Sequence, residues 1–71
     1  MTPSIAVSYE DGEVIIVADA HGLRRISEVC TRLADLSPVE AATPAGHFHI
    51  SEAMKNAEAG SLPLVVARKQ D

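Results

Sequence analysis

The segment Ser4–Ala18, SIAVSYEDGEVIIVA, carries the strongest structural signal in this sequence. Two apolar runs flank Asp11-Gly12, the dipeptide that favours a two-residue type I′ turn because both of its residues tolerate positive φ. The run Ser4–Glu10 alternates between apolar and polar residues, and Glu13–Ala18 is a β-branched run typical of a strand that is buried on both faces. The sequence therefore predicts an antiparallel β-hairpin.

A two-residue turn also fixes the register of this hairpin. It places Tyr9 opposite Val14 and brings the large apolar side chains of both strands to one face. The residues on that common face are Ile5, Val7, Tyr9, Val14 and Ile16. Glu10 and Glu13 then lie opposite each other, and this like-charge pair favours a looser turn.

An amphipathic helix is predicted next, starting at Asp19, whose carboxylate can cap the free N–H groups of the first turn. Apolar residues then recur every three or four positions, which indicates one buried stripe. The stripe consists of Leu23, Ile26, Val29, Cys30, Leu33 and Leu36, with Cys30 interpreted as a small core residue. Ser37-Pro38 is predicted to end the helix, because proline disfavours helical geometry in the residue before it. Residues 39–46 are predicted to form a surface loop.

The last third of the chain predicts two more strands. His47–Ile50 alternates, with the two histidines on one face, and Leu62–Arg68 forms the fourth strand. A short helix is predicted between them, capped by Ser51 and ended by Gly60. The fold class is α+β, a four-stranded sheet in ββαββ order with one principal helix packed on one face. At 71 residues the chain forms a single domain, residues 1–71.

Composition excludes several classes of function. Ten acidic residues against six basic ones give a net charge of −4, which repels phosphate backbones and argues against nucleic-acid binding. One cysteine excludes an internal disulfide framework and a multi-cysteine zinc site. The sequence shows neither a basic signal-peptide start nor an apolar run long enough for a membrane span. We therefore expect a cytoplasmic protein without membrane partners.

His47-x-His49 is the sharpest chemical feature of the sequence. Two imidazoles on one strand face are common ligands of zinc, copper or nickel. A structural site needs about four ligands and a catalytic site about three, and the sequence places neither His21 nor Cys30 to complete one. We therefore predict a solvated strand face with no metal and no cofactor. A small metal- or ligand-binding module at His47 and His49 is the alternative.

The sequence carries no motif of an enzyme. It contains no glycine-rich phosphate loop, no nucleophile elbow and no pair of carboxylates at a defined spacing. We therefore predict a non-enzymatic protein without catalytic residues.

An excess of apolar surface points to a partner. One helix covers only one face of a sheet, yet the second strand is apolar on both, so Ile15 and Val17 cannot face the helix if their neighbours do. An uncovered apolar patch usually marks an interface. We predict a partner interface at Ile15, Val17, His47 and His49, in a homodimer or against another protein. In the alternative, the second short helix or the loop 39–46 covers the patch.

Three short motifs carry a resemblance to a known family. They are a helix start of the form D-x-x-G-L at Asp19–Leu23, a strand of the form H-x-H-[LI] at His47–Ile50, and a terminal strand of the form S-x-x-L-V-[IV] at Ser61–Val66. With this order of elements, the chain resembles the small bacterial immunity proteins of immunity protein family 32 over Val14–Arg68. The resemblance implies an antitoxin that binds and neutralises a cognate protein toxin. An oligomerising accessory domain is a further alternative.

Overall fold

The structure is a computed structural model that describes residues 4–70. Its elements are β1 (Ile5–Glu10), β2 (Glu13–Ala18), α1 (Ala20–Ala34), α2 (Pro38–Ala41), a 3₁₀ helix (Pro44–Gly46), β3 (His47–Ile50) and β4 (Leu64–Ala67). The predicted α+β class, with one main helix, is confirmed.

The strands form two sheets of two strands each, so the predicted four-stranded sheet is wrong. The segment between β3 and β4 lies along β1 instead: the Glu58 N–H donates to the Ile5 carbonyl and the Leu62 N–H to the Val7 carbonyl, both at 2.8 Å. This segment does not form a strand, and it ends at Pro63, which has no N–H to donate to a ladder. The segment is therefore hydrogen-bonded to β1, and the two sheets do not merge.

The β1–β2 hairpin has the predicted register, with the pairs Val7–Ile16, Tyr9–Val14 and Glu10–Glu13. Asp11 and Gly12 have φ values of 51° and 83°, so both residues of the turn occupy the left-handed region. Type I′ turns need this geometry, since it matches the twist of the flanking strands. The predicted two-residue turn is confirmed, and the two facing glutamates do not loosen it.

Helix α1 begins against the base of the hairpin. The carboxylate of Asp19 accepts a hydrogen bond from the Gly22 N–H at 2.7 Å, so Asp19 is the predicted N-cap. A Cβ at Gly22 would lie 2.9 Å from Ala18 Cβ and 3.0 Å from Ile5 Cγ1, and it would also collide with the Ser4 carbonyl. Only glycine permits the helix start to approach the strands this closely.

The other end of α1 is held by a side chain from the C-terminal part of the chain. Arg68 Nη1 donates to the carbonyls of Leu33, Ala34 and Leu36, each at 3.0 Å. These carbonyls lie at the end of a helix, where intrahelical donors are missing. A cation there also suits the negative end of the helix dipole.

One hydrophobic cluster lies between α1 and the two sheets. Its members are Ile5, Val7, Ala18, Ile26, Phe48, Ile50, Ala57, Leu64 and Val66. The side chains from both sheets that enter this cluster define an inner face, which α1 covers. Successive residues of a strand point to opposite faces, so Ile15, Val17, His47, His49 and Val65 belong to an outer face turned away from α1.

The buried stripe of α1 is narrower than predicted. Val29 and Leu33 are buried and Ile26 is half-buried, but Leu23 is exposed. Cys30 is exposed as well, so its interpretation as a core residue is wrong. The helix contacts the two small sheets only along a narrow strip of its surface. Side chains on either side of this strip, such as Leu23 and Cys30, therefore lie in solvent.

The two connections after α1 also differ from the prediction. Residues 39–46 form helix α2 and the 3₁₀ helix instead of a loop, and α2 begins with a capping box in which Ser37 and Glu40 bond each other's backbone N–H groups. The helix predicted after Ser51 is absent, and turns take its place. The Asn56 side chain accepts a hydrogen bond from the Ser51 N–H and donates one to the His49 carbonyl. Side-chain bonds of this kind compete with the backbone hydrogen bonds of a helix.

Candidate partner-binding surface

Strand β2 is the most exposed apolar element of the described structure. Val14, Ile16 and Val17 expose 62%, 42% and 63% of their surface, and Ile15 is half-buried. Val14 and Ile16 lie on the same face of the hairpin as Val7 and Ala18, but they remain exposed because α1 packs at the base of the hairpin. The alternative in which a short helix or the loop 39–46 covers Val17 is wrong. Both faces of β2 therefore present apolar side chains to solvent.

The backbone of β2 is open along one edge. The Asp19 N–H donates to the Ser4 carbonyl, which makes Ser4–Asp19 a hydrogen-bonded pair. Hydrogen-bonded and non-hydrogen-bonded pairs alternate along an antiparallel ladder, so the N–H and carbonyl groups of Val14 and Ile16 point away from β1. Within residues 4–70, no hydrogen bond reaches these groups. We call them the β2 edge.

Acidic residues stand at both ends of β2. Glu10, Asp11 and Glu13 surround the turn at its start, and Asp19 follows its last residue. The pKa of Asp19 is lowered from its ordinary value of 3.8, first because the Gly22 N–H donates to it and further because of the Ser4 N–H and the nearby His21. The carboxylate is therefore charged at neutral pH, and β2 is an apolar strand between two negative ends.

The two predicted histidines lie on the outer face of the second sheet. Both rings are exposed, and they meet edge to face, with ring centroids 4.9 Å apart and an interplanar angle of 86°. Within the described residues, no group of three His, Cys, Asp or Glu side chains is placed to hold a metal ion. Ile15 and Val17 share the outward orientation of the histidines, but they belong to the other sheet.

A cluster of Arg25, Arg32 and Phe48 was not predicted from the sequence. The guanidinium carbons lie 5.2 and 5.7 Å from the centroid of the Phe48 ring, within the range of cation–π attraction. Arg32 also lines a cleft of about 210 Å³ together with Phe48 and His47. The seven-residue spacing of the arginines, which puts them on one side of a helix, was the available signal. Their contact with Phe48 holds α1 against β3.

Comparisons with known proteins identify the family of this chain. Among the described residues, no helix has the length and apolar character needed to cross a membrane. Searches of curated proteins and of solved structures returned no match. A family model described as immunity protein 32 matches residues 13–69, which include β2, α1, both histidines and β4. The chain belongs to the immunity protein 32 family.

Proposed function

We propose that this protein is a bacterial immunity protein that acts in the cytoplasm by binding and neutralising a cognate protein toxin. The observation that carries the proposal is the match to immunity protein 32 over residues 13–69. The family supports a protective role, which the experiment below tests.

The surface of the molecule supports neutralisation by binding rather than by catalysis. Val14 and Val17 expose most of their surface on β2, and burying a valine side chain fully is worth roughly 1.5–3 kcal/mol. The net charge of −4 also favours encounter with a basic protein, since opposite charges raise the association rate. A basic toxin domain that covers an apolar patch fits both properties.

We further propose that the contact surface includes the outer face. Its partner-interface residues are Ile15 and Val17 of β2 and His47 and His49 of β3. Both histidines are exposed, so they are available to a partner without any rearrangement of the core. Contact residues of this kind surround apolar anchors in many interfaces, where they exclude water.

The test is protection of a growing cell. Each open reading frame that flanks the gene for this chain is expressed in bacteria with and without the chain. We expect one of them to arrest growth when expressed alone and to permit growth when the chain is present. A matched pair of variants localises the effect: Val17→Glu places a charge on the exposed outer face of β2, and Ala53→Glu places one in the turns after β3. We expect loss of protection with Val17→Glu only. Growth arrest in the presence of the wild-type chain would contradict the proposed function.

A second copy of this chain is the other candidate for the outer face. Two apolar strands stacked face to face bury the same side chains, and chains of this size often gain stability by oligomerising. Sedimentation equilibrium of the purified protein at high micromolar concentration distinguishes the two. A dimer that Ile15→Glu converts to a monomer supports the homodimer, and a monomer at all concentrations eliminates it.

A further inference from the structure

We propose that the β2 edge is the docking site for an extended strand of the toxin, one with apolar residues at its centre and lysine or arginine at both ends. The inference rests on the proposed function and names the part of the surface that the partner takes. The added strand would pair with the backbone of Val14 and Ile16 and extend the first sheet from two strands to three.

No lysine, proline or bulge protects the β2 edge. Natural proteins block open strand edges with lysines, prolines, bulges or short strands, since an exposed edge recruits other chains. Strand β2 is six residues long, it pairs with β1 without a bulge, and only apolar residues lie between Glu13 and Asp19. An edge of this length and composition would promote aggregation unless a partner covers it.

The edge of β4 is also open, and it differs from the β2 edge in length and flanking residues. Val65 of β4 pairs with His49 in a non-hydrogen-bonded pair, so its N–H and carbonyl also point away from the ladder. Strand β4 has only four residues, is preceded by Pro63 and is followed by Arg68 and Lys69. Its edge is therefore short and flanked by proline and positive charge, which are the features that β2 lacks.

The charges at the two ends of β2 indicate which kind of strand would pair with its edge. If two copies of this chain paired through β2 in antiparallel orientation, the start of one strand would meet the end of the other and bring Glu13 towards Asp19 of its partner. Parallel pairing would bring like ends together. Both arrangements place negative charges side by side, and like-charge contacts oppose association. A strand with cationic ends meets attraction at both ends of β2, so a basic partner is favoured over a second copy.

The test removes one backbone donor at a time. Val14→Pro deletes an N–H that points outward and leaves the bonds to β1 intact, which is the one place in a strand that tolerates proline. Val14→Thr keeps the N–H and the β-branched shape. We expect Val14→Pro to weaken binding of the neighbouring toxin domain by about tenfold or more, and Val14→Thr by less than about threefold, as measured by calorimetry. Val65→Pro, at the edge of β4, should bind like the wild type.

A charge pair tests the nature of the partner strand. Glu13→Lys reverses the charge at the start of β2, and Asp35→Lys makes the same change at the far end of α1. We expect Glu13→Lys to lower the association rate by about tenfold at low salt and by less at high salt, because screening weakens surface charges. Asp35→Lys should change the rate by less than about twofold.

Amide hydrogen exchange on the wild-type protein tests the same pairing, and its result does not depend on the folding of the proline variants. In the free wild-type protein the Val14 and Ile16 amides should exchange rapidly, and in the toxin complex they should be protected. Protection of neither amide in the complex would overturn the inference while the proposed function stands. A dimer of the free chain that pairs through β2 would contradict the proposal of a basic partner strand. Failure of the wild-type chain to bind the toxin domain would remove the proposed function and this inference together.

Discussion

The two strands of the hairpin pair with each other residue by residue, yet they differ in what covers them. Strand β2 is the more apolar, but Ile5 and Val7 of β1 expose only 1% and 3% of their surface, whereas Val14 and Val17 of β2 expose more than half. Helix α1 packs over the base of the hairpin beside Ile5, and the segment 58–62 bonds to the free side of β1 and leaves that of β2 open. Burial in a small domain therefore depends on where the rest of the chain packs as much as on hydrophobicity.

The largest effect that tests this comparison is a matched pair of alanine substitutions. Ile5→Ala should lower the free energy of unfolding by about 2–5 kcal/mol, because it empties space in a filled core. Ile16→Ala removes the same atoms from a partly exposed position on the facing strand and should cost less than about 1.5 kcal/mol. Urea denaturation measures both. Equal costs would show that β2 is covered in solution.

Gly22→Ala tests the packing of α1 on the base of the hairpin. Alanine is the better helix former by about 1 kcal/mol, but its Cβ would collide with the Ser4 carbonyl and crowd Ala18 and Ile5. Overpacking of this kind costs about 1–3 kcal/mol, so we expect net destabilisation in thermal unfolding. Ala20→Gly at the exposed start of the helix is the control for propensity alone. A Gly22→Ala variant more stable than the wild type would mean that the helix start shifts freely.

Ser61→Ala removes one contact that closes the free side of β1. Ser61 Oγ accepts a hydrogen bond from the Val7 N–H at 2.8 Å, and this bond is partly buried. Loss of the acceptor leaves the N–H unpaired, at a cost of about 1–3 kcal/mol in the free energy of unfolding. Ser27→Ala, on the exposed side of α1, should change stability by less than about 0.5 kcal/mol. Identical denaturation curves for the two variants would contradict the closing role of Ser61.

Acid should weaken the junction between β2 and α1. The pKa of Asp19 is lowered in the folded protein, chiefly by the Gly22 N–H, and that of Glu40 is lowered chiefly by the Ser37 N–H. Both carboxylates therefore contribute stability above their ordinary pKa values of 3.8 and 4.5, and this stability is lost as the pH falls through the lower folded values. Asp19→Asn keeps a capping oxygen without titrating there, so its melting temperature should fall less steeply with acid than that of the wild type. Parallel pH profiles would argue against this role of Asp19.

The smallest effect is expected on the outer face of the second sheet. Replacing His47 and His49 together by alanine should change the free energy of unfolding by less than about 1 kcal/mol, because both side chains are exposed. Zinc titrated into the wild-type protein should produce no stoichiometric binding in calorimetry. Tight binding that the double variant loses, or unfolding on chelation, would support the metal-binding alternative.

Local signals predicted the turn, the cap of α1 and the third strand, but the cap signal at Ser51 was wrong, because turns follow it. Asp11-Gly12 predicts the turn, Asp19 predicts the cap of α1, and the alternation of His47–Ile50 predicts β3 with its bounds. Each of these features depends on neighbours within a few residues, so short patterns are enough. A capping-box pattern is also present at Ser37 and Glu40, and it indicates the start of helix α2. The proline between them fits the end of one helix as well as the first residue of another, and only the first interpretation entered the prediction.

The long-range features were not predictable in the same way. Nothing near β1 in the sequence indicates that residues 58–62 return to it and close its free side, while the free side of β2 stays open. The candidate surface was predictable only in part. Alternation of side chains along β2 was enough to propose Ile15 and Val17. The exposure of Val14 and Ile16 follows instead from the position of α1 at the base of the hairpin. The Arg25–Phe48–Arg32 cluster joins a helix and a strand that are distant in the chain.

The bonds from residues 58–62 to β1 also bear on how the protein folds. The hairpin needs only a two-residue turn, and such hairpins form within about 1–10 μs. Closure of β1 joins Ile5 to Glu58 across most of the chain, and loop-closure entropy makes contacts of this kind slow to form. Until residues 58–62 bond to β1, both edges of the hairpin are open. Closure of β1 within one chain then competes with pairing between two refolding chains. We expect the yield of refolding to fall as the protein concentration rises.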